Sequence, residues 1–138
     1  MTAGYSATPL AKKLGLKEGF KVLLYKPPKD YFELFSDLPK NLDIVTNEPW
    51  ENIDFIHLFF TSFNTLETIV KKYIGALKKD GLLWISWPKG QSSIKTDLKR
   101  DLIRKHVLDL GLVDVKVAAI DQDWSGLKFV YRTKDRQP

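Results

Sequence analysis

One stretch of the chain strongly limits the folds it can adopt: residues 54–89, DFIHLFFTSFNTLETIVKKYIGALKKDGLLWISWPK. It opens with a nearly continuous apolar run of strand length, as expected for a strand covered by helices on both faces. A segment with helical spacing of apolar residues follows, then the turn signal Asp80-Gly81 and a second apolar run, Leu82 to Trp87. A strand, a helix and a strand in this order predict a right-handed crossover unit of a parallel sheet.

The rest of the chain adds elements of the same kind. Predicted strands lie at 21–25, 42–46, 55–60, 82–87, 114–120 and 127–132, and predicted helices lie at 9–14, 30–38, about 62–77 and 96–110. The last two strands are separated by a segment of hairpin length that contains Asp-Trp-Ser-Gly. These elements predict an α/β fold. It is a three-layer, doubly wound, mostly parallel sheet of about six strands that ends in an antiparallel hairpin.

Length and composition predict one domain over residues 1–138, with an N-terminal arm at 1–7 and a flexible tail at 133–138. The sequence has no cysteine, which excludes disulfides, thiolate metal sites and a cysteine nucleophile. It also has no apolar run of membrane-spanning length and no visible secretory leader. We therefore expect a cytoplasmic protein without a membrane partner.

The net charge of +5 suggests a nucleic-acid binder as one hypothesis. The lysines and arginines are spread along the chain, however, and most lie on predicted helix faces or in loops beside acidic residues. A solvated surface explains this distribution. We therefore do not expect nucleic acid as a partner.

Part of the chain resembles the second half of a class I S-adenosylmethionine (SAM) methyltransferase. Residues 54–57, DFIH, resemble the family's fourth strand, and residues 77–89, LKKDGLLWISWPK, resemble the segment that leads into its fifth. The closing segment "LGLVDVKVAAID...WSGLKFVYR" resembles its last two strands. The resemblance covers residues 54–132 and implies a methyltransferase-like, Rossmann-like fold.

The first half departs from that family. Its members follow the first strand with a glycine-rich turn, which lets the backbone approach the cofactor, whereas residues 25–30 read YKPPKD. Family members also end the second strand with an acidic residue for the ribose hydroxyls, and Glu48 is only a loose candidate for it. We therefore predict no cofactor, and SAM binding through Glu48 and the N-terminal arm is the alternative.

Over nearly its full length the chain resembles a bacterial family of short, methyltransferase-like proteins whose function is undefined. Residues 4–15, GYSATPLAKKLG, match that family's opening "GYSGTPLAKKLG", except that Ala7 replaces a glycine. Residues 84–89, WISWPK, and 124–128, WSGLK, match its later motifs. This resemblance implies no particular activity.

Candidate site residues follow from the rule that ligands bind at the carboxyl ends of the strands of an open α/β sheet. The predicted rim combines lysines, hydroxyls and tryptophans, which suit an anionic or planar ligand. Its members are Tyr5, Ser6, Lys26, Thr61, Ser86, Trp87, Lys89, Trp124 and Ser125. The alternative is that Trp87 and Trp124 only cap the sheet and that Lys89 is a solvated loop residue.

No catalytic group or metal site is predicted. His57 and His106 are the only histidines, and neither has ligand spacing with an acidic residue, so His57 is expected to be packed in the core. Asp121 and Asp123 suggest an acid/base pair or a metal site. The alternative is that they are turn residues bonded to their own backbone.

The function that fits these observations is a non-catalytic module that binds a small molecule or a protein on a degenerate methyltransferase-like fold. The alternative is a SAM-dependent methyltransferase with an atypical cofactor site. A nucleic-acid binder is the third hypothesis. Fold alone does not decide between them.

Overall fold

The computed structural model describes residues 8–136. The strands are β1 (Lys21–Tyr25), β2 (Asp43–Val45), β3 (Ile53–Phe59), β4 (Leu77–Pro88), β5 (Leu112–Ala119) and β6 (Trp124–Tyr131), and the α-helices are α1 (Leu10–Leu14), α2 (Phe63–Ile74) and α3 (Arg100–Asp109). Short 3-10 helices occupy Tyr31–Leu34 and Thr133–Asp135. Across the described residues, no helix is long and apolar enough to cross a membrane.

The six strands form one sheet in the order β2-β1-β3-β4-β6-β5. β1 to β4 run parallel, and β6 is antiparallel to both β4 and β5. The α/β fold predicted from the sequence is therefore confirmed. The chain moves outward from β1 to β2 and then returns to the other side of β1, which creates a switch point between β1 and β3.

Two helices cover one face of the sheet. Leu66 and Val70 of α2, and Ile103 and Val107 of α3, are fully buried against this face. The spacing of these residues follows the helical period, which is why the helices were predictable from the sequence. Ser62 caps α2, because its side-chain oxygen accepts a hydrogen bond from the Thr65 backbone N–H.

The opposite face has a thinner cover. It consists of the five-residue helix α1 and the 3-10 helix Tyr31–Leu34, packed on Phe55, Phe59 and Trp84. Trp84 is fully buried, and its indole N–H donates to the Leu14 carbonyl at 2.8 Å. That hydrogen bond fastens the end of α1 to the middle of the sheet.

The predicted helix at 30–38 is wrong in extent, because only Tyr31–Leu34 is helical and the helix is of the 3-10 type. Asp30, the first residue of the predicted helix, has a left-handed backbone with φ of 61° and makes no side-chain capping bond. Asp37, which lies within the predicted helix, bonds to α1 instead. Its two carboxylate oxygens accept hydrogen bonds from the Ala11 and Lys12 backbone N–H groups at the start of α1, at 2.9 and 3.0 Å.

Two other boundaries also differ from prediction. β4 continues through Asp80-Gly81, because residues 78–81 bulge between the pairs Ile53–Leu77 and Phe55–Leu82. α3 begins at Arg100 rather than near Thr96. The side chains of Thr96 and Asp97 bond to Thr61 and Phe63 at the start of α2 instead of extending α3.

The amino ends of the strands are joined by Asp54, the second residue of β3. Its carboxylate accepts a hydrogen bond from the Lys21 backbone N–H at 2.8 Å and pairs with the Lys78 ammonium at 3.0 Å. Asp54 therefore links β1, β3 and the bulge of β4. It does so at the edge of the sheet opposite the carboxyl ends.

The outermost strands are both irregular. β2 has three residues, and β5 changes register between Asp114 and Lys116. Val115 stands at this shift and is half exposed. A bulge of this kind increases strand twist and interrupts the row of backbone bonding groups.

Replacing Asp37 with alanine should lower the free energy of unfolding by about 1–2 kcal/mol, because α1 loses the acceptor for two N–H groups of its first turn. Chemical denaturation of the purified protein measures this change. Asp43→Ala is the control, because it removes an exposed carboxylate that makes no side-chain bond among the described contacts. Equal losses in the two variants would contradict the capping role.

Candidate functional site

A cavity of about 290 Å³ lies at the carboxyl edge of the sheet, at the switch point between β1 and β3. It is lined by Tyr25, Lys26, Phe59, Phe60, Thr61, Thr65 and Trp124. Three residues of the predicted rim, Lys26, Thr61 and Trp124, therefore come together here. This position is where open α/β sheets bind ligands, and the volume of the cavity is just below the lower limit of about 300 Å³ for small-molecule sites.

The turn that follows β1 has a left-handed backbone although it lacks glycine. Lys26 has φ of 47°, in the region that glycine adopts most easily. The sharp turn is therefore formed, but it carries a long cationic side chain. Pro27 and Pro28 follow, and neither has a backbone N–H to offer a ligand.

Aromatic rings form the walls of the cavity. The Tyr25 ring lies 5.3 Å from the Phe60 ring and meets Tyr73 of α2 edge-on at 5.6 Å. On the other side, Trp124 meets Phe59 edge-on at 5.1 Å. These contacts hold the rings in fixed orientations, and a planar ligand can stack on them with little loss of side-chain freedom.

Trp87 and Trp124, which were expected on one rim, pack on opposite faces of the sheet. Trp87 is 8% exposed and packs with the core under α2 and α3, whereas Trp124 packs against the residues under α1. The register explains this, because Pro88 rather than Trp87 pairs with Trp124. Neighbouring residues of a strand point to opposite faces.

The other rim candidates lie in different places. The Lys89 backbone N–H donates to the Asp123 carbonyl at 2.8 Å, and Lys89 lines a separate cleft between β4 and α3. Ser125 pairs with Trp87 in the sheet. Tyr5 and Ser6 lie outside the described residues.

Glu48, the loose candidate for a ribose ligand, is exposed and forms an ion pair with Lys72 of α2 at 2.6 Å. Lys72 also lies 4.9 Å above the Trp50 ring, which packs on Tyr73. Glu48 is not among the residues that line the cavity. Its carboxylate is directed toward the face of the sheet that α2 covers.

Ser86 is in the core and not at the rim. Its hydroxyl lies 2.7 Å from His57 Nε2, and His57 Nδ1 lies 2.8 Å from the Tyr31 hydroxyl. All three residues are buried. They form one hydrogen-bonded chain, the Tyr31–His57–Ser86 chain, which joins the segment after β1 to β3 and β4.

Burial holds the imidazole of this chain in its neutral form. Complete burial lowers the pKa of His57 to about 3 and raises the pKa of the Tyr31 hydroxyl. A neutral imidazole has one N–H donor and one acceptor nitrogen, so both hydroxyl partners are needed to satisfy the ring. The Tyr31–His57–Ser86 chain thus connects the core while exposing no group to a ligand.

Asp121 forms part of the turn between β5 and β6. One of its carboxylate oxygens accepts hydrogen bonds from the Asp123 and Trp124 backbone N–H groups, both at 2.8 Å. This is the turn arrangement that was the alternative to an acid/base pair. It fixes the backbone just before Trp124 and so sets the position of one cavity wall.

A second and larger opening, the β4–α3 cleft, has a volume of about 690 Å³. Its lining residues are Trp87, Pro88, Lys89, Gly90, Ser92, Ser93, Ile94, Lys95, Thr96, Leu98, Lys99 and Arg100. Sequence reasoning identified Trp87 and Lys89 as candidates but missed the other cations. The one sequence feature that could have indicated Lys95, Lys99 and Arg100 is their close spacing in the segment after the fourth predicted strand.

No family model and no curated protein matches the chain. Several solved structures do. A SAM-dependent methyltransferase from Aquifex aeolicus has a TM-score of 0.62 at 18% identity, over 87% of this chain and 86% of that one. DhpI in complex with SAH (S-adenosylhomocysteine) has a TM-score of 0.61 at 9% identity, over 91% and 83%. Fibrillarin from Aeropyrum pernix with natively bound SAM has a TM-score of 0.58 at 14% identity, over 87% and 72%.

These similarities show that the chain has the fold of SAM-dependent methyltransferases. The resemblance of residues 54–132 to that family in sequence had implied the same fold. They also correct the prediction of no cofactor, because two of these neighbours hold SAM or SAH on this fold. That prediction relied on the missing glycine. The structure gives the physical reason for the correction, because Lys26 adopts the left-handed turn without one.

The buried histidine predicts a specific pH dependence of stability. In the unfolded chain His57 protonates near its ordinary pKa of 6.5, whereas in the folded chain it stays neutral down to about pH 3. The unfolded state therefore binds more protons in this window, and stability falls as the pH is lowered through it. The slope due to this residue reaches about 1.4 kcal/mol per pH unit.

Denaturation of wild type and His57→Gln between about pH 6.5 and pH 5, where most carboxylates remain charged, tests this dependence. The variant should lose the histidine contribution to the slope. Tyr31→Phe is the matched control. It should lower stability by about 1–3 kcal/mol by leaving a ring nitrogen unpaired, yet keep the slope because His57 stays buried. Parallel curves for wild type and His57→Gln would contradict a neutral, buried imidazole.

Proposed function

We propose that this chain is a SAM-dependent methyltransferase with an atypical cofactor site, and that SAM binds in the cavity at the β1–β3 switch point. The observation that carries the proposal is the left-handed turn at Lys26 beside an aromatic-walled cavity. The fold similarity to SAM-bound and SAH-bound proteins supports it.

The residues present fit the cofactor in part. The Trp124 ring would stack on a planar adenine, and the Lys26 ammonium would attract the carboxylate of the methionine moiety. The Thr61 hydroxyl would offer one hydrogen bond at the cavity wall. When bound, SAM supplies an electrophilic methyl group on its sulfonium sulfur.

This site differs from the usual methyltransferase cofactor site because the turn after β1 offers fewer backbone N–H donors to the cofactor. Pro27 and Pro28 supply no N–H groups, and Glu48 is paired with Lys72. Side chains, with Lys26 foremost, would therefore supply contacts that a glycine-rich turn supplies through the backbone. The motifs in residues 4–15, 84–89 and 124–128 resemble those of a bacterial family of short methyltransferase-like proteins. We propose the same cofactor site for members of that family.

One observation favours a second candidate, a non-catalytic binding module. None of the described residues that line the cavity is a carboxylate or a histidine, so none of them is suited to take a proton from a methyl acceptor near neutral pH. Such a module would bind a small molecule in the same cavity without transferring a methyl group. The two candidates share a binding step and differ in the chemistry that follows it.

Titration calorimetry and thermal unfolding with SAM and with SAH test the proposal. SAM at about 100 times its dissociation constant should stabilise the folded protein by about 2.7 kcal/mol. Trp124→Leu should weaken binding about fivefold to 150-fold, because stacking of a base on an aromatic ring contributes about 1–3 kcal/mol. Lys26→Gly should also weaken binding, and it keeps the turn because glycine adopts the same φ.

Trp50→Leu is the matched control, since it removes a partly buried tryptophan that packs on Tyr73 and does not line the cavity. It should leave the affinity for SAM unchanged. Absence of any shift at millimolar SAM and SAH would overturn the proposal. Equal losses of affinity in Trp50→Leu and Trp124→Leu would overturn the assignment of the cavity.

A further inference from the structure

The β4–α3 cleft is cationic along its lining. Lys89 lies at one end, and Lys95, Lys99 and Arg100 follow along the loop and into the first turn of α3. The described residues that line the cleft include no carboxylate. Four cationic side chains around one opening produce a positive potential that favours an anion.

The nearby carboxylates are engaged with other groups. Asp97 accepts a hydrogen bond from the Phe63 backbone N–H at 2.9 Å, and Asp123 accepts one from the Ser92 hydroxyl at 2.8 Å. Asp101 approaches Arg100 at 3.8 Å, where both side chains are more than half exposed. Lys95 and Lys99 form no ion pair among the residues that the structure describes, and the exposed Arg100–Asp101 pair is weak at this distance.

Backbone donors add to the side chains. Lys99, the residue before α3, makes no side-chain capping bond. The backbone N–H groups in the first turn of α3, which lie beside the cleft side chains, therefore have no side-chain acceptor from the cap residue. α3 has ten residues, and its N-terminal end carries the positive end of the helix dipole. The cationic cleft is the primary feature, and this helix end reinforces its charge.

We infer that the β4–α3 cleft binds the phosphate group of a small phosphorylated molecule. A phosphate has several acceptor oxygens and more than one negative charge, which match several cations and N–H donors converging on one opening. The partly exposed side chain of Ile94 gives the rest of such a molecule an apolar surface to pack on, above the buried Trp87 and Leu98. The volume of about 690 Å³ lies within the range of small-molecule sites.

The observations favour a small molecule over a nucleic acid. A nucleic-acid backbone requires a basic stripe that extends over several phosphates. Here Asp97, Asp101 and Asp123 interrupt the basic residues around the cleft. These carboxylates would repel an extended polyanion outside the cleft.

The β4–α3 cleft adjoins the cavity at the β1–β3 switch point. The Thr96 hydroxyl of the cleft donates to the Thr61 carbonyl at 2.6 Å, and Thr61 lines the cavity. Pro88 of the cleft pairs with Trp124 of the cavity. The phosphate site stands whether or not SAM binds. If SAM binds in the adjoining cavity, a phosphorylated molecule in the cleft would be placed as the methyl acceptor, and only this assignment rests on the proposed function.

Calorimetry and amide NMR with inorganic pyrophosphate at low salt test the phosphate site. Pyrophosphate should shift the amide resonances of Gly90, Ser92 and Ser93, and its affinity should fall as salt is added. The double variant Lys95→Gln/Lys99→Gln should raise the dissociation constant at least about tenfold, because it removes two charge-assisted contacts.

Lys71→Gln/Lys105→Gln is the matched control, since it changes the net charge equally at exposed helix positions outside the cleft. It should bind pyrophosphate like wild type. Absence of binding at millimolar pyrophosphate, or equal losses in the two double variants, would overturn the site. A short single-stranded RNA that binds more tightly than pyrophosphate, and that loses affinity in both double variants, would overturn the choice of a small molecule.

Separate titrations of the protein with pyrophosphate and with SAM distinguish the phosphate site from the proposed function. Pyrophosphate binding without SAM binding supports the cleft and removes the proposed function. SAM binding without pyrophosphate binding supports the cavity and removes the cleft. SAM binding should be retained in Lys95→Gln/Lys99→Gln, because neither residue lines the cavity.

Discussion

The sheet of this domain must be covered on both faces, and the two covers are very unequal. α2 and α3 bury one face with regular rows of apolar side chains, whereas a five-residue helix and one 3-10 turn cover the other. Such short segments bury little apolar surface by themselves and cannot satisfy their own backbone groups. Hydrogen bonds to the rest of the chain therefore hold them in place, through Asp37, Trp84 and the Tyr31–His57–Ser86 chain.

The parts of the fold that were predictable from the sequence are those determined by local pattern. Apolar runs located the strands, and the helical spacing of apolar residues located α2. Two of the failures, the extent of the helix at 30–38 and the start of α3, have a common cause, which is that a side chain suited to a local role bonds to a distant partner. Asp37 and Asp97 are acidic residues in or before predicted helices, and each bonds instead to the start of a helix elsewhere in the chain.

The candidate site was predictable only in its location. The carboxyl edge was expected from the fold class, but the strand register decides which side chains share a face there, and register is not readable from one strand alone. The register of β4 and β6 places Trp87 and Trp124 on opposite faces of the sheet, and the Ser86 side chain is buried in the core. The absence of glycine after β1 was misleading for a related reason. Lys26 adopts a left-handed conformation at an intrinsic cost of about 1–2 kcal/mol, which the surrounding fold outweighs.

The irregular outer strands have a consequence for the behaviour of the protein at high concentration. An exposed strand edge offers unpaired N–H and C=O groups to any other chain, which is a common start of aggregation. In this sheet β2 is too short to template a partner strand, and the bulge at Val115 breaks the row on β5, where Lys116 adds a charge. Val115 and Val117 are nevertheless half exposed. Backbone geometry and charge, rather than polar side chains throughout, thus oppose edge-to-edge pairing of this sheet.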